Sequence, residues 1–141
     1  MTVIGDTSGI LAVIDVDSPV HHACLEVIHQ ADAVVLSPLV LAELDYMITS
    51  RLGYRTAVAF IDQVKSGVYD VAEVGADEIF AAKDVLDRYA DLPIGLTDAV
   101  NVVLADNLGT DRVLTLDQRH FRAVRPLTTR FQAFRLSPFD I

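Results

Sequence analysis

Residues 2–15 read TVIGDTSGILAVID, and this stretch decides the fold. Its first part is a short apolar run that predicts a buried strand over residues 2–5, and residues 8–15 predict a helix. Short apolar strands that alternate with helices along a chain are typical of a parallel sheet covered on both faces. Asp6 lies where the strand ends. An unpaired buried carboxylate is costly, and the usual remedies are protonation, an Arg or Lys partner, or a metal ion.

Three more carboxylates occupy similarly unfavourable places. Glu43 interrupts an apolar helical stripe, Asp98 opens a helix that is apolar nearly all round, and Asp117 ends the apolar run 113–116. No Lys or Arg lies within three residues of Asp6, Glu43 or Asp98. Two carboxylates 4 Å apart repel by ~4 kcal/mol at an effective dielectric of 20, so a cluster needs a cation. Oxygen ligands predict Mg²⁺, or Mn²⁺, rather than zinc.

The rest of the chain continues the alternation of strands and helices. We expect further strands at residues 33–36, 69–74, 112–116 and 131–136, and further helices that end near residues 30, 52, 65, 90, 108 and 122. Ser18-Pro19 and Ser37-Pro38 each predict a helix cap followed by a first-turn proline, and Thr97 is a third candidate cap.

The placement of the acidic residues favours a single site. Sites in open parallel sheets form beyond the carboxyl ends of the strands, so Asp6 and Asp117 meet there if their strands are neighbours. Glu43 belongs to the helical stripe expected to pack inward, whereas Asp45 should face solvent. Asn101 shares a helix face with Asp98. Two simpler interpretations stay open: Glu43 could reach water at the margin of the core, and Asp98 could be a residue favoured by the helix dipole.

Composition limits the class of protein. The chain has 141 residues, 52% of them hydrophobic and 22% charged, which predicts one folded domain over residues 1–141. It shows no apolar segment of membrane-spanning length, and its single cysteine, Cys24, fits the reducing cytoplasm. The net charge of −9 argues against general nucleic-acid binding, but residues 111–141 carry +3 and the remainder −12. This basic segment is either a solvated face or a basic rim beside an acidic site.

Four segments together resemble one family. They are DTSGILAVID (6–15), SPLVLAELDYMI (37–48), IGLTDAVNVVLAD (94–106) and VLTLDQRHF (113–121). In this order they resemble a PIN domain, and more narrowly a VapC-type toxin of a bacterial type II toxin–antitoxin pair. The resemblance implies an α/β fold, a PIN-like α/β/α sandwich with a central, mostly parallel sheet.

The resemblance also implies an activity and a set of site residues. The activity is that of an endoribonuclease dependent on Mg²⁺ or Mn²⁺, which cuts structured RNA such as tRNA or rRNA by metal-activated water to leave 5′-phosphate and 3′-hydroxyl ends. Its catalytic and metal-binding residues would be Asp6, Glu43, Asp98 and Asp117. Its hydroxyl and polar positions would be Thr7, Ser8 and Asn101. Arg119 and His120 are candidates for contact with the RNA backbone, although they could equally form a solvated turn.

The partners implied are an RNA substrate, a cognate VapB-type antitoxin and a second copy of the chain in a homodimer. Two alternatives remain from the residues themselves. One is a catalytically inactive PIN-like module that only binds a partner. The other is an acidic Mg²⁺-dependent phosphotransfer domain, against which the chain has Ser8 where a phosphatase needs a second Asp and no Lys in residues 110–120.

Overall fold

A five-stranded parallel sheet forms the centre of the molecule in the computed structural model, which describes residues 1–140. Its strands are β1 (Thr2–Gly5), β2 (Ala33–Leu36), β3 (Asp70–Val71), β4 (Arg112–Leu114) and β5 (Arg135–Ser137). The order across the sheet is β3-β2-β1-β4-β5, and every neighbouring pair is parallel. The predicted α/β class is confirmed, and β1 lies between β2 and β4.

Seven helices surround this sheet in the described part of the chain. They are α1 (Thr7–Ile14), α2 (His21–Gln30), α3 (Pro38–Leu52), α4 (Tyr54–Lys65), α5 (Ala76–Arg88), α6 (Leu96–Leu108) and α7 (Gln118–Ala123). No helix within residues 1–140 has the length and apolar character that crossing a membrane requires.

Two hydrophobic clusters cover opposite faces of the sheet. Val3 and Val34 pack in the cluster that includes α1–α4, whereas their neighbours Ile4 and Val35 pack in the cluster that includes α5 and α6. Successive side chains of a strand point to opposite faces, so each strand feeds both clusters. This gives the α/β/α sandwich.

Cys24 is fully buried in the cluster that includes α1–α4, and burial raises the pKa of its thiol to about 11. Both properties are expected for a core residue rather than a nucleophile.

One of the three predicted helix caps is confirmed. The Ser37 hydroxyl accepts a hydrogen bond from the Leu39 amide at 3.1 Å, with Pro38 in the first turn. The prediction for Ser18 was wrong: α2 begins only at His21, because the chain first closes a turn in which the Ser18 carbonyl accepts from the His21 amide. Thr97 is also not a cap, since Gly95 holds that position in α6.

The predicted strands at 69–74, 112–116 and 131–136 are shorter than expected. β3 pairs with β2 through two residues only, and β5 begins at Arg135, four residues after the predicted start. β4 ends at Leu114, after which the Thr115 hydroxyl accepts from the Asp117 amide and the chain turns into α7. At the end of β4, a side-chain hydrogen bond therefore replaces the pairing that the apolar pattern predicted.

Close packing of α1 on β4 fixes where α1 begins. A Cβ atom on Gly9 would lie 2.4 Å from the Leu114 carbonyl oxygen, so only glycine allows this approach. The approach brings the first turn of α1, with Thr7 and Ser8, over the end of β4.

Candidate active site

Adjacent strands bring Asp6 and Asp117 to the same edge of the sheet. β1 pairs in parallel with β4, and the Asp6 amide donates to the Leu114 carbonyl oxygen at 2.9 Å. Asp6 therefore extends the end of β1, and Asp117 follows three residues after the end of β4. The adjacency on which the sequence argument depended is confirmed.

Asp6 is the most deeply placed of the four acidic residues, with 5% of its surface exposed. One carboxylate oxygen accepts from Asn101 Nδ2 at 3.2 Å, and the other accepts from Thr115 Oγ1 at 2.7 Å. Burial raises the pKa of Asp6 to about 6, against the lowering effect of the Thr115 hydrogen bond and with added repulsion from Asp98 and Asp117. The fold thus holds a carboxylate whose charge is poorly compensated.

Glu43 lies above Asp6 on α3, held by two threonines. Thr7 Oγ1 donates to one of its carboxylate oxygens at 2.6 Å, and Thr97 Oγ1 donates to the other at 3.0 Å. The expectation that Glu43 packs inward was wrong, because Glu43 is exposed while its neighbour Leu44 is fully buried. The buried residues of α3 lie on another face of the helix, and the Glu43 carboxylate lines the cleft.

Asp98, Asp117 and His120 form the third part of the site. His120 Nδ1 lies 2.7 Å from one Asp117 oxygen and 3.9 Å from Asp98. The other Asp117 oxygen accepts from the His120 backbone amide at 3.1 Å, as the N-cap of α7. Both oxygens of Asp117 are therefore oriented by one residue.

The pKa of Asp98 is also raised. Burial is the main cause, opposed by the Gly95 amide that donates to its carboxylate at 3.3 Å. The charges of Asp117 and Glu43 raise this pKa further, and His120 lowers it. Asp6 and Asp98 thus share the property expected of carboxylates that are arranged for a cation.

A single cleft collects these side chains. It has a volume of about 680 Å³, and its lining is acidic and hydroxylic at one end and apolar along α3, with Asp6, Thr7, Ser8, Ala42, Glu43, Tyr46, Met47, Asp98 and Asp117. All four predicted acidic residues are in it, as are both predicted hydroxyl residues. Ser8 also joins α1 to the end of β4, since its hydroxyl accepts from the Leu116 amide at 2.8 Å.

The chemistry of the donors fits a divalent cation. Within residues 1–140, no Lys or Arg forms an ion pair with any of the four carboxylates. Ligand atoms of Asp98, Asp117 and His120 all lie within 4.8 Å of one another. Asn101 is fully buried, and its side-chain oxygen has no hydrogen-bond partner. An unpaired buried oxygen beside uncompensated carboxylates fits a site that accepts a cation.

The basic segment, residues 111–141, provides fewer free positive charges beside the cleft than its composition indicated. Arg122 forms two hydrogen bonds of 2.7 Å with Asp140, and Arg135 lies 3.8 Å from Asp111. Arg119 is exposed and does not line the cleft, so its predicted contact with RNA stays a prediction. His120 faces the acidic residues rather than solvent alone.

Two contributors were missed by the sequence argument. Thr115 makes the shortest hydrogen bond to Asp6, and Thr97 holds Glu43 instead of capping α6. A signal for Thr115 was available, because it is the one hydroxyl in the apolar run before Asp117. Thr97 was interpreted as a helix cap from its sequence neighbours alone, whereas its hydrogen-bond partner, Glu43, lies 54 residues away.

Comparison with known proteins assigns this chain to a family. The model of the PIN domain family matches residues 3–126. Ribonuclease VapC26 of Mycobacterium tuberculosis is 46% identical over 123 residues, which cover 86% of this chain and 91% of that protein. The chain therefore belongs to the PIN domain family, and within it to the VapC-type ribonucleases.

Solved structures share the fold at lower identity. VapC20 of Mycobacterium tuberculosis, a toxin that cleaves the sarcin–ricin loop, superposes with a TM-score of 0.76 at 24% identity, covering 83% of this chain and 91% of that one. The DNA-bound VapBC of Salmonella typhimurium gives a TM-score of 0.68 at 19% identity, covering 96% of both chains. These matches confirm the predicted PIN-like sandwich.

Proposed function

We propose that this chain is an endoribonuclease toxin, dependent on Mg²⁺ or Mn²⁺, of a type II toxin–antitoxin pair. The observation that supports it most directly is the meeting of Asp6, Glu43, Asp98 and Asp117 in one cleft with no Lys or Arg paired to them within residues 1–140. The family supplies the class of reaction, and the cleft supplies the residues.

Each residue has a distinct part in this proposal. Asp6, Glu43 and Asp98 would hold the cation, and Asp117 would complete the set. Bound there, Mg²⁺ or Mn²⁺ would supply Lewis-acid stabilisation of the phosphoryl oxygens and a more acidic water for attack on phosphorus. Thr7 and Thr97 keep the Glu43 carboxylate in one orientation, which lowers the reorganisation needed when substrate arrives.

The expected products are RNA fragments with 5′-phosphate and 3′-hydroxyl ends, and the expected substrates are structured RNAs such as tRNA or rRNA. A VapB-type antitoxin is the expected inhibitor, because four of the matched solved structures are toxin–antitoxin complexes. A homodimer and action in the cytoplasm, where these RNAs are found, belong to the same proposal.

Purified, antitoxin-free protein incubated with total bacterial RNA tests the activity. Discrete cleavage should require Mg²⁺ or Mn²⁺ and be abolished by EDTA. Asp98→Asn should be inactive, while Asp106→Asn, an exposed residue of the same helix, should cut like the wild type. Circular dichroism and thermal unfolding should show that both variants are folded.

Two results would contradict the proposal. Cleavage by Asp98→Asn at the wild-type rate would remove the acidic cluster from the chemistry. Absence of cleavage by folded wild-type protein in either metal would favour the inactive, partner-binding PIN module.

A further inference from the structure

The cleft continues along α3 beyond the acidic residues. A second cavity of about 300 Å³ shares Ser8 and Met47 with the first and reaches Arg51. Because the two cavities share a wall, they form one groove between α1 and α3 that runs from the carboxylates to the last turn of α3.

α3 places four chemically different groups along this groove. Glu43, Met47 and Arg51 are four residues apart and share a helix face, and Tyr46 lies beside Met47. A rise of 1.5 Å per residue puts Tyr46 roughly 4.5 Å and Arg51 roughly 12 Å along the axis from Glu43. An RNA strand with one phosphate at the acidic cluster would therefore lie beside the Tyr46 ring first and beside the Arg51 guanidinium farther on.

Tyr46 is unusual for a residue that lines a cleft. It is 75% exposed, and its hydroxyl makes no hydrogen bond within residues 1–140. An exposed aromatic ring beside a phosphodiester site offers a face on which an unstacked base can lie.

Arg51 is the cation of this groove. It is exposed and forms no ion pair among residues 1–140. Asp15, on the opposite wall, already accepts a hydrogen bond from the Asp17 amide at 3.0 Å. Because the Asp15 carboxylate repels a phosphate, a phosphate in this groove would lie on the α3 side, beside Arg51.

The charge of the whole chain makes such contacts necessary. A protein of net charge −9 gains little from long-range attraction to a polyanion, so RNA affinity has to come from the bound cation and from short-range contacts. We propose that the groove from Glu43 to Arg51 is the path of a single-stranded RNA segment, with a base stacked on Tyr46 and a phosphate paired with Arg51. This inference rests on the proposed function and adds that the RNA next to the cleaved bond is single-stranded.

Binding of a fluorescein-labelled, single-stranded RNA of mixed sequence tests the path. Fluorescence anisotropy would be measured over a range of salt in Mg²⁺, with Asp98→Asn as the uncleaving parent. Tyr46→Ala should weaken binding about 5- to 150-fold without changing the salt dependence, and Tyr46→Phe should restore it. Arg51→Ala should weaken binding and reduce the slope of log K against log salt by about 0.7, the value for one phosphate contact on a single strand.

Matched controls lie on the neighbouring helix. Tyr54 is 73% exposed and Arg55 is exposed, and neither lines the groove, so Tyr54→Ala and Arg55→Ala should bind as the parent does. Equal affinity of the Tyr46→Ala and Arg51→Ala variants and the parent would overturn the inference. That result would assign the groove to a protein partner instead. A wild-type chain that cuts no RNA would instead refute the proposed function.

Discussion

The buried Asp6 carboxylate predicts an unusual dependence of stability on pH in the metal-free protein. Its pKa is about 6 in the folded state against 3.8 when unperturbed. Since the folded state holds this proton more tightly, the contribution of Asp6 to the free energy of unfolding is greatest below pH 4. It falls as pH rises through about 6 and is then constant. At about 1.4 kcal/mol per pKa unit, the loss is about 3 kcal/mol.

Asp6→Asn isolates this contribution. The amide cannot ionise, but it can accept only one of the two hydrogen bonds from Asn101 and Thr115, so the variant carries a constant penalty of about 1–3 kcal/mol. This penalty does not change with pH. The difference in the free energy of unfolding, variant minus wild type, should therefore rise by about 2 kcal/mol between pH 4 and pH 7, whatever its starting value.

Urea unfolding in EDTA at a series of pH values measures this difference. Asp45→Asn, an exposed change on α3, serves as the control and should give no rise. Saturating Mg²⁺ or Mn²⁺ should stabilise the wild type more at pH 7 than at pH 5, because the cation needs the ionised carboxylate. Parallel curves for the wild type and Asp6→Asn would refute the reasoning, since they would mean that Asp6 ionises as it does in the unfolded chain.

Three further changes probe the supports of the site and of the fold. Thr97→Val removes a donor to Glu43 and should weaken Mn²⁺ binding, measured by calorimetry, about 10- to 100-fold. His120→Ala removes the Nδ1 contact with one oxygen of Asp117, while the backbone amide still donates to the other, and should weaken Mn²⁺ binding about 10-fold, which His120→Asn should partly restore through its amide donor. Gly9→Ala places a Cβ against a backbone carbonyl of β4 and should lower the free energy of unfolding by about 1–3 kcal/mol or more.

Each of these changes has a counterpart that should have little effect. Thr56→Val removes a hydroxyl that donates to the Leu52 carbonyl oxygen, away from the cleft, and His22→Ala also lies outside the cleft. Gly95 has no atom within 4 Å of an added Cβ, so Gly95→Ala should cost about 1 kcal/mol or less, from the cap position alone. Metal affinities of Thr97→Val and His120→Ala equal to that of the wild type would show that the carboxylates need no such support.

The acidic residues were predictable because each interrupts an apolar pattern. Asp6 and Asp117 follow buried strands, and a carboxylate in such a place has few explanations. The sequence did not show that β1 and β4 are neighbours, since strand order depends on contacts between residues more than 100 positions apart, such as Asp6 and Thr115. The elements themselves are local and were placed to within a few residues.

Side-chain hydrogen bonds account for most of the errors. Ser18 and Thr97 each carry the hydroxyl that suits a helix cap, but Ser18 closes a turn and Thr97 bonds to a distant Glu43. Helix-cap propensity reflects only the hydrogen bonds that a hydroxyl can form with groups close to it in the sequence. The exposure of Glu43 was misjudged because Glu43 borders the buried stripe of Val40, Leu44 and Ile48 without belonging to it.

The order of strands also bears on how the protein is made. The acidic cluster includes Asp6, which directly follows β1, and Asp117, which follows β4. The Ser8 hydroxyl also accepts a hydrogen bond from the Leu116 amide. During synthesis on the ribosome, a chain that ends before residue 117 lacks part of the cluster and has no β4 against which to hold Asp6. A polypeptide that ends before residue 117 therefore carries no assembled centre, and any nuclease activity arises only after that residue has been added.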